Sequence, residues 1–300
     1  MKCEPVIDLD WSPQVGLNGA YRKMLWRRRP GLKAGQTIPA LRCRYENALI
    51  DGKNLGTYRQ LCDVTSDDDI PLLFPHVLMG MAHLQMVSHS RFPLKSFGLL
   101  HLRNHVLRLR TWKPTEKMSI TCEFARQRIT EKGIEFDMDT EVRVGNEPVW
   151  QSISTLLKRG KFGSADAPSD RADLFPPLEV GQDVSQFSVP ARMGKHYARV
   201  SGDYNPIHVS RLMARLSGFP TAIAHGMWAA ARAISALALP DNEHVQCDVA
   251  FKGPVLLGSQ VHIQQRDDRF DLYCGDNPRP VICCRYRTES LVSSLTDQTS

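Results

Sequence analysis

Leu178-Glu179-Val180-Gly181-Gln182 repeats, with two substitutions, the earlier stretch Leu32-Lys33-Ala34-Gly35-Gln36. Each copy is followed by a strand-like stretch and then by a helix-like one, Lys53–Cys62 in the first half and Ala191–Ser201 in the second. Several features recurring in one order are the signature of a duplicated structural unit. The sequence therefore predicts two tandem copies of one fold.

A second match between the halves supports the duplication. Phe74-Pro75 precedes Gly80-Met81 by a spacing one residue shorter than that from Phe219-Pro220 to Gly226-Met227. A run with helical features follows each glycine. The two predicted central helices are Met81–His89 and Trp228–Leu239.

Strand-like segments follow each central helix. Glu135–Val144 alternates apolar and polar residues, which predicts a strand with one buried and one wet face. A turn at Gly145–Pro148 leads into Val149–Lys158, the predicted hairpin partner. Helices packed on an antiparallel sheet, twice over, predict an α+β fold. The second half repeats the pattern in Val245–Phe251, Gln260–Gln265, Arg269–Cys274 and Val281–Thr288.

The repeats set the predicted domain boundaries. The first repeat spans residues 31–160 and the second spans residues 178–290. Residues 161–177 are rich in Gly, Ser, Asp and Pro, which is typical of a surface linker. Residues 1–30 form a predicted N-terminal extension and residues 291–300 a predicted tail, both outside the repeat.

The composition excludes several classes of protein. Eight cysteines in 300 residues are too few for a disulfide scaffold, and none has zinc-finger spacing. The chain has no dinucleotide, phosphate-loop or nucleophile-elbow motif, so we expect neither a metal nor a resident cofactor. A charged N-terminus and the lack of a long apolar run predict no membrane span and a cytoplasmic protein.

A formal net charge of +6 favours anionic partners. The basic residues are spread along the chain except at Trp26–Arg29 and at Arg103, Arg108 and Arg110, which we expect to be solvated surface. No aromatic-interleaved or recognition-helix pattern accompanies them, so nucleic acid is not an expected partner. A phosphorylated molecule such as the tail of coenzyme A suits the same charge.

One segment combines groups that are suited to acid and base chemistry. Ser201-Gly202-Asp203-Tyr204-Asn205-Pro206-Ile207-His208 places a carboxylate, an amide and an imidazole on a short stretch that proline stiffens. Ala224-His225-Gly226-Met227 then opens the second central helix. A backbone N–H at a helix start can stabilise developing negative charge. The two segments together predict an active site.

These segments, with Phe251-Lys252-Gly253-Pro254-Val255-Leu256-Leu257-Gly258, resemble the MaoC-like (R)-specific enoyl-CoA hydratases of the hotdog fold. The resemblance covers about residues 178–288 and implies a double hotdog, whose tandem repeats form one continuous sheet. The first repeat is then a degenerate, non-catalytic copy. The chain is expected to be a monomeric pseudo-dimer or a homodimer.

The resemblance also implies an activity in fatty acid metabolism. The expected reaction is reversible hydration of trans-2-enoyl thioesters to (R)-3-hydroxyacyl thioesters, carried on coenzyme A or on acyl carrier protein. Asp203 and His208 are the expected catalytic pair, with Asn205 orienting the water or the pair and the Gly226 N–H forming the oxyanion site. The expected substrate-pocket residues are Ser201, Ile207, His225 and Met227.

The first half lacks the Asn-Pro-Ile-His element and the loop after it, since Tyr58–Pro71 leads directly into Phe74-Pro75. We therefore expect one catalytic site per chain and a wider channel for long or bulky acyl groups. Two alternatives stay open. A hotdog thioesterase commonly has a carboxylate near the central helix, and Met227–Leu239 has none. A non-catalytic acyl-thioester-binding or partner subunit is the other.

Overall fold

The computed structural model describes residues 6–10, 29–33, 35–66, 69–96, 98–165, 176, 178, 181–239 and 244–288. The strands are β1 (Ile7–Asp10), β2 (Leu41–Ala48), β3 (Leu99–Arg108), β4 (Met118–Thr130), β5 (Gly133–Val144), β6 (Glu147–Arg159), β7 (Gln182–Ser188), β8 (Val245–Phe251), β9 (Gln260–Arg266), β10 (Arg269–Cys274) and β11 (Ile282–Thr288). The helices are α1 (Gly52–Cys62), α2 (Phe74–Ser88), α3 (Met193–Ser201), α4 (Pro206–Val209), α5 (Arg211–Leu216) and α6 (Gly226–Ala236).

The strands form one sheet in the order β1-β2-β4-β5-β6-β3-β8-β11-β10-β9-β7. Outward from the central β3–β8 pair, the strands follow equivalent orders in the two halves. These orders are β3-β6-β5-β4-β2 on one side and β8-β11-β10-β9-β7 on the other. Every pair is antiparallel except β1–β2. This topology confirms the α+β fold with two repeats in one continuous sheet.

The helices lie on this sheet and interlock the two halves. Helix α2 packs on β2, β4 and β5, and helix α6 packs on β7 and β11. Helix α1 packs against α3 and α6, and the Trp228 indole donates a hydrogen bond to the Leu61 carbonyl over 2.8 Å. The buried rings of Tyr58 and Tyr197 lie 6.3 Å apart where α1 meets α3. The helices of one repeat thus stabilise those of the other.

The first central helix begins earlier than the sequence predicted. Helix α2 starts at Phe74 instead of following Gly80. Pro75 lies in its first turn, where the backbone N–H that proline lacks would have no partner inside the helix. The Trp150 indole donates to the Leu72 carbonyl over 2.9 Å, just before this start. Gly80 is therefore inside its helix, whereas Gly226 is the first residue of α6.

Three expectations about charged surface are wrong at particular residues. Glu135 and Asp137, on the predicted wet face of β5, are buried, because Arg128 of β4 reaches both carboxylates at 2.8 and 3.6 Å. Arg108 is also buried. Of the Trp26–Arg29 patch only Arg29 is among the described residues, and its guanidinium is not free surface, since it donates to the carbonyls that end α2, including that of Ser88 at 3.0 Å. Cations near a helix C-terminus satisfy its free carbonyls and its dipole.

The proposed domain boundaries fall partly on residues that the structure does not describe. Ile7–Asp10, inside the predicted N-terminal extension, is the edge strand β1 and pairs with β2. Most of the predicted linker, residues 161–177, and the whole tail, residues 291–300, lie outside the described residues. None of the described helices combines the length and the hydropathy that a membrane crossing requires.

An ion pair joins the two strands at the centre of the sheet. His105 of β3 and Asp248 of β8 are directly opposite, with 2.5 Å between Nδ1 and Oδ1. The hydrogen bond to Asp248 raises the pKa of His105, against the opposing effect of burial. Burial alone would raise the pKa of Asp248, but hydrogen bonds from His105 and Gln246 lower it. The pair therefore favours the charged form of both residues.

We predict that this pair makes stability depend on pH. A histidine whose pKa is raised by folding stabilises fully below its unfolded pKa and loses that effect as pH rises through its folded pKa. Near pH 6 the free energy of unfolding of wild type should exceed that of His105→Gln by about 0.5–1 kcal/mol, and this difference should shrink as the pH rises through the folded pKa of His105. Urea unfolding across pH measures this. Gln246→Ala, which removes another bond to Asp248, should shift stability without that pH dependence, and a pH-independent deficit for His105→Gln would contradict the assignment.

Candidate active site

The Asp203 carboxylate is held by a short loop that follows α3. The helix ends at Gly202, whose φ of 73° is left-handed and reverses the chain. Ser201 Oγ donates to the Tyr197 carbonyl over 2.9 Å and accepts the Asp203 N–H over 3.2 Å. The Asn205 N–H then donates to Asp203 Oδ1 over 3.0 Å. These bonds fix the position of the carboxylate.

The imidazole of His208 is oriented by the short helix that carries it and by one backbone carbonyl. Helix α4 begins at Pro206 after Asn205, whose side-chain oxygen accepts the Ile207 N–H over 3.4 Å. His208 Nδ1 lies 2.9 Å from the Ile223 carbonyl oxygen, which can only accept, so Nδ1 carries a proton. In the neutral ring the lone pair is then on Nε2.

Helix α3 approaches the His208 backbone so closely that only glycine fits between them. A Cβ on Gly194 would lie 2.0 Å from the His208 carbonyl oxygen. Sequence reasoning missed this glycine, because nothing along the chain shows that these two segments touch. The contact sets the distance between the helix that leads to Asp203 and the turn that carries His208.

Gly226 begins α6 beside these groups. As the first helical residue, its N–H has no partner inside the helix. A Cβ there would lie 2.5 Å from an edge carbon of the Phe251 ring, so the site requires glycine. His225 precedes it and stacks on His208, with ring centroids 3.8 Å apart and planes at 25°.

The three side chains converge on one point. Asp203 Oδ2 lies 3.8 Å from His208 Nε2 and 3.6 Å from His225 Nε2. His225 Nε2 also lies 2.9 Å from the Asp203 carbonyl oxygen, to which it donates. The gap between Asp203 and His208 is too long for a direct hydrogen bond and suits a bridging water.

The surroundings of Asp203 and His225 determine their charges at neutral pH. Burial disfavours the Asp203 carboxylate, but His225, His208 and the Asn205 N–H more than offset this, and the pKa of Asp203 lies below its usual value. Burial, reinforced by His208, lowers the pKa of His225 to about 3. At neutral pH Asp203 is therefore ionised and His225 is neutral.

A cavity of about 890 Å³ opens over these groups. Its lining contains every residue that the sequence predicted for the site, namely Ser201, Asp203, Asn205, Ile207, His208, His225, Gly226 and Met227. The role expected of the Asn205 side chain is only partly matched, because its backbone N–H holds Asp203 while its side-chain oxygen caps α4. The surface of Asp203, whose side chain is 48% exposed, is part of this lining.

The first half contributes residues that sequence reasoning missed. His76, Gly80, His83 and Leu84 of α2 and His101 of β3 line the same cavity. The first four recur at helical spacing, which is a signal for one face of a helix. The sequence could not show that this face is turned toward the second repeat. Among the described residues of the first half, α4 and α5 have no counterpart.

The site also has the donor set of a metal centre. Asp203, His208 and His225 each offer a ligand atom, and these atoms lie within 4.8 Å of one another. Two imidazoles and a carboxylate suit zinc and similar ions. The expectation that no metal is needed therefore stays a prediction.

The sequence of the site region matches a known protein family. The family described as "MaoC like domain" matches residues 180–269, which contain all three converging side chains. Residues 180–269 are a MaoC-like domain. A relative named 3-hydroxyacyl-thioester dehydratase X, from Mycobacterium tuberculosis, is 29% identical over 237 residues, which are 78% of this chain and 84% of the relative. The likeness thus extends beyond the MaoC-like domain into the first half.

Solved structures agree on the fold. The crystal structure of HtdX from Mycobacterium tuberculosis has a TM-score of 0.68 and 27% identity, covering 82% of this chain and 99% of that one. A second Mycobacterium tuberculosis protein, described as having a double hotdog fold, has a TM-score of 0.53 and 14% identity, covering 85% and 96% of the two chains. The MaoC-like domain is therefore one half of a double hotdog, as the resemblance implied.

We predict opposite effects for two glycine substitutions. Gly194→Ala should lower the free energy of unfolding by about 1–3 kcal/mol, because its methyl group would collide with the His208 backbone. Gly56→Ala, in α1 with open space around it, should raise it by about 0.5–1 kcal/mol by restricting the unfolded chain. Urea unfolding measures both. If Gly194→Ala were as stable as wild type, the contact between α3 and α4 would tolerate a side chain.

Proposed function

We propose that this chain is a hydro-lyase that reversibly hydrates trans-2-enoyl thioesters to (R)-3-hydroxyacyl thioesters. The observation that carries the proposal is the 3.8 Å gap between Asp203 Oδ2 and His208 Nε2, inside the cavity and beside the Gly226 N–H. Hydration of a conjugated thioester needs those three functions: a base for water, an acid for the α-carbon and a donor for the enolate oxygen. The name of the mycobacterial dehydratase supports the same substrate class.

His208 serves as the base in this scheme. Its Nδ1 is occupied by the Ile223 carbonyl, so the Nε2 lone pair is available to a water held between it and Asp203. The water oxygen bonds to C3 of the thioester as its proton passes to Nε2. The π electrons of the double bond move toward the carbonyl oxygen, which the Gly226 N–H stabilises. One oxyanion donor of this kind is worth about 10²–10³ in turnover.

Asp203 orients the water. After the C3–O bond has formed, the Asp203 carboxylate takes the proton from His208 Nε2 and delivers it to C2, so both side chains return to their starting forms. Ionised at neutral pH, Asp203 accepts a hydrogen bond from the water and stabilises the imidazolium that forms on His208. Because one pair of side chains handles both new bonds, hydrogen and hydroxyl add to the same face of the double bond. His225, neutral and bonded to the Asp203 carbonyl, positions the loop. The carrier of the acyl group is coenzyme A or acyl carrier protein.

A thioesterase is the less supported enzyme. The sequence places no Asp or Glu in α2 or α6. Among the residues that the structure describes, the carboxylate at the converging point is that of Asp203, which belongs to the hydratase-like motif. Release of free thiol from an enoyl or saturated acyl thioester would favour the thioesterase, whereas loss of the enoyl absorbance with formation of the (R)-3-hydroxyacyl product supports the hydratase.

We predict that Asp203→Asn and His208→Gln each lower the hydration rate by about 10²-fold or more, because each removes one proton-transfer group. Loss of enoyl absorbance measures the rate, and thermal unfolding checks that both variants stay folded. His262→Gln, on the exposed surface of β9, is the matched control and should retain the wild-type rate. Wild-type rates in either site variant would contradict the mechanism.

We predict that chelation leaves activity unchanged. The proposed steps use only water, two side chains and a backbone N–H, although the three side chains could hold a metal ion. Dialysis against EDTA, followed by the enoyl assay and by elemental analysis, tests this. Loss of activity that returns on adding Zn²⁺ would assign the water to a metal instead of to His208.

A further inference from the structure

Three histidines of the first half line the same cavity as the converging side chains. His76 and His83 lie on one face of α2, and His101 lies on β3. His76 stacks on His101, with ring centroids 5.6 Å apart and planes at 11°, and lies 5.9 Å from His83. The proposed hydration uses none of them.

The hydrogen bonds of His76 fix which nitrogen carries its proton. Asn104 Oδ1 accepts from Ser152 Oγ over 2.7 Å, so its Nδ2 faces His76 Nδ1, at 3.2 Å, as the donor. His76 Nδ1 therefore accepts, and in the neutral ring the proton is on Nε2. Among the described residues none is hydrogen-bonded to this Nε2–H, on a side chain that lines the cavity.

His101 presents a second nitrogen without a partner. Its Nε2 is buried and makes no hydrogen bond to any described residue, while its ring packs against Phe251 at 4.7 Å. His83 is weakly bonded, with 3.4 Å between its Nε2 and Thr140 Oγ1. A buried polar atom without a partner is destabilising and is uncommon unless a ligand or water meets it.

All three rings are neutral at physiological pH. Burial lowers the pKa of His76 to about 4 and that of His83 to about 3, and it lowers the pKa of His101 well below its usual value. The Asp203 carboxylate acts on His76 and on His101 in the opposite sense, which places both rings within electrostatic reach of the reacting groups. A neutral ring has one donor nitrogen and one acceptor nitrogen, and it carries no net charge to balance an anion.

We propose that the acyl group of the natural substrate carries a hydroxyl group that His76 and His101 bind within a few bonds of the reacting carbons. His101 donates to the Arg103 backbone, and since its Nε2 has no partner, that donor is Nδ1 and the neutral Nε2 accepts. A hydroxyl is an uncharged oxygen group that can both accept from His76 Nε2–H and donate to His101 Nε2. A purely apolar chain would leave both unsatisfied. This inference rests on the proposed function for its substrate class and narrows that class.

Matched pairs of enoyl thioesters test the inference. Each pair has one chain length and one carrier and differs by a single hydroxyl group, placed in turn on successive carbons beyond the double bond. Wild type should favour the oxygenated member by about tenfold or more in kcat/KM at one position. His101→Leu should abolish that preference, whereas His101→Gln, which keeps a hydrogen-bonding side chain, should keep part of it. Leu84→Met, on the same cavity wall, should leave the ratio unaltered.

The remaining outcomes separate this inference from the proposed function. Equal or better turnover of the unsubstituted members at every position would overturn the inference. An equal loss for both members in His101→Leu would overturn it too, because the ring would then contact the shared carrier arm or serve the fold alone. Calorimetric binding of matched saturated thioesters adds a readout without chemistry. A binding preference for the oxygenated member, with no turnover of any enoyl thioester, would support the inference and contradict the proposed function.

Discussion

The hydrogen bond between His208 Nδ1 and the Ile223 carbonyl determines what the site can do. It holds the imidazole proton away from the cavity, so the free nitrogen faces Asp203 across a gap of one water. Ile223 is itself held by an isolated bridge to Leu256, at the strand-like stretch after β8. The chemistry therefore depends on the backbone of a segment that contributes no side chain to it.

The duplication explains why the site is asymmetric. Two copies of one fold share a sheet, but only the second has the turn with Asp203 and His208. In the first copy the chain enters α2 directly, and its helix face supplies His76 and His83 to the common cavity. In the proposed reaction one repeat provides the acid, the base and the oxyanion donor, and the other provides a wall that would contact the rest of the substrate.

Much of this architecture was predictable because its signals are local. The alternation of apolar and polar residues predicted β5 and the strands of the second half, and the repeated pentapeptides predicted the duplication. The start of α2 was missed because Phe74-Pro75 was aligned with a pair that precedes a loop in the second half. The burial of Glu135 depends on an arginine from another strand, which alternation cannot show. For the same reason the site residues of the motif were found, and the histidines of α2 were not.

The most direct test is a crystal structure of the Asp203→Asn variant with a bound 3-hydroxyacyl thioester. The 3-hydroxyl oxygen should lie within about 3.2 Å of both the residue-203 side chain and His208 Nε2, with the thioester oxygen at the Gly226 N–H. A hydroxyl directed away from His208, or a thioester carbon placed between the two side chains instead of C3, would contradict the proposed mechanism.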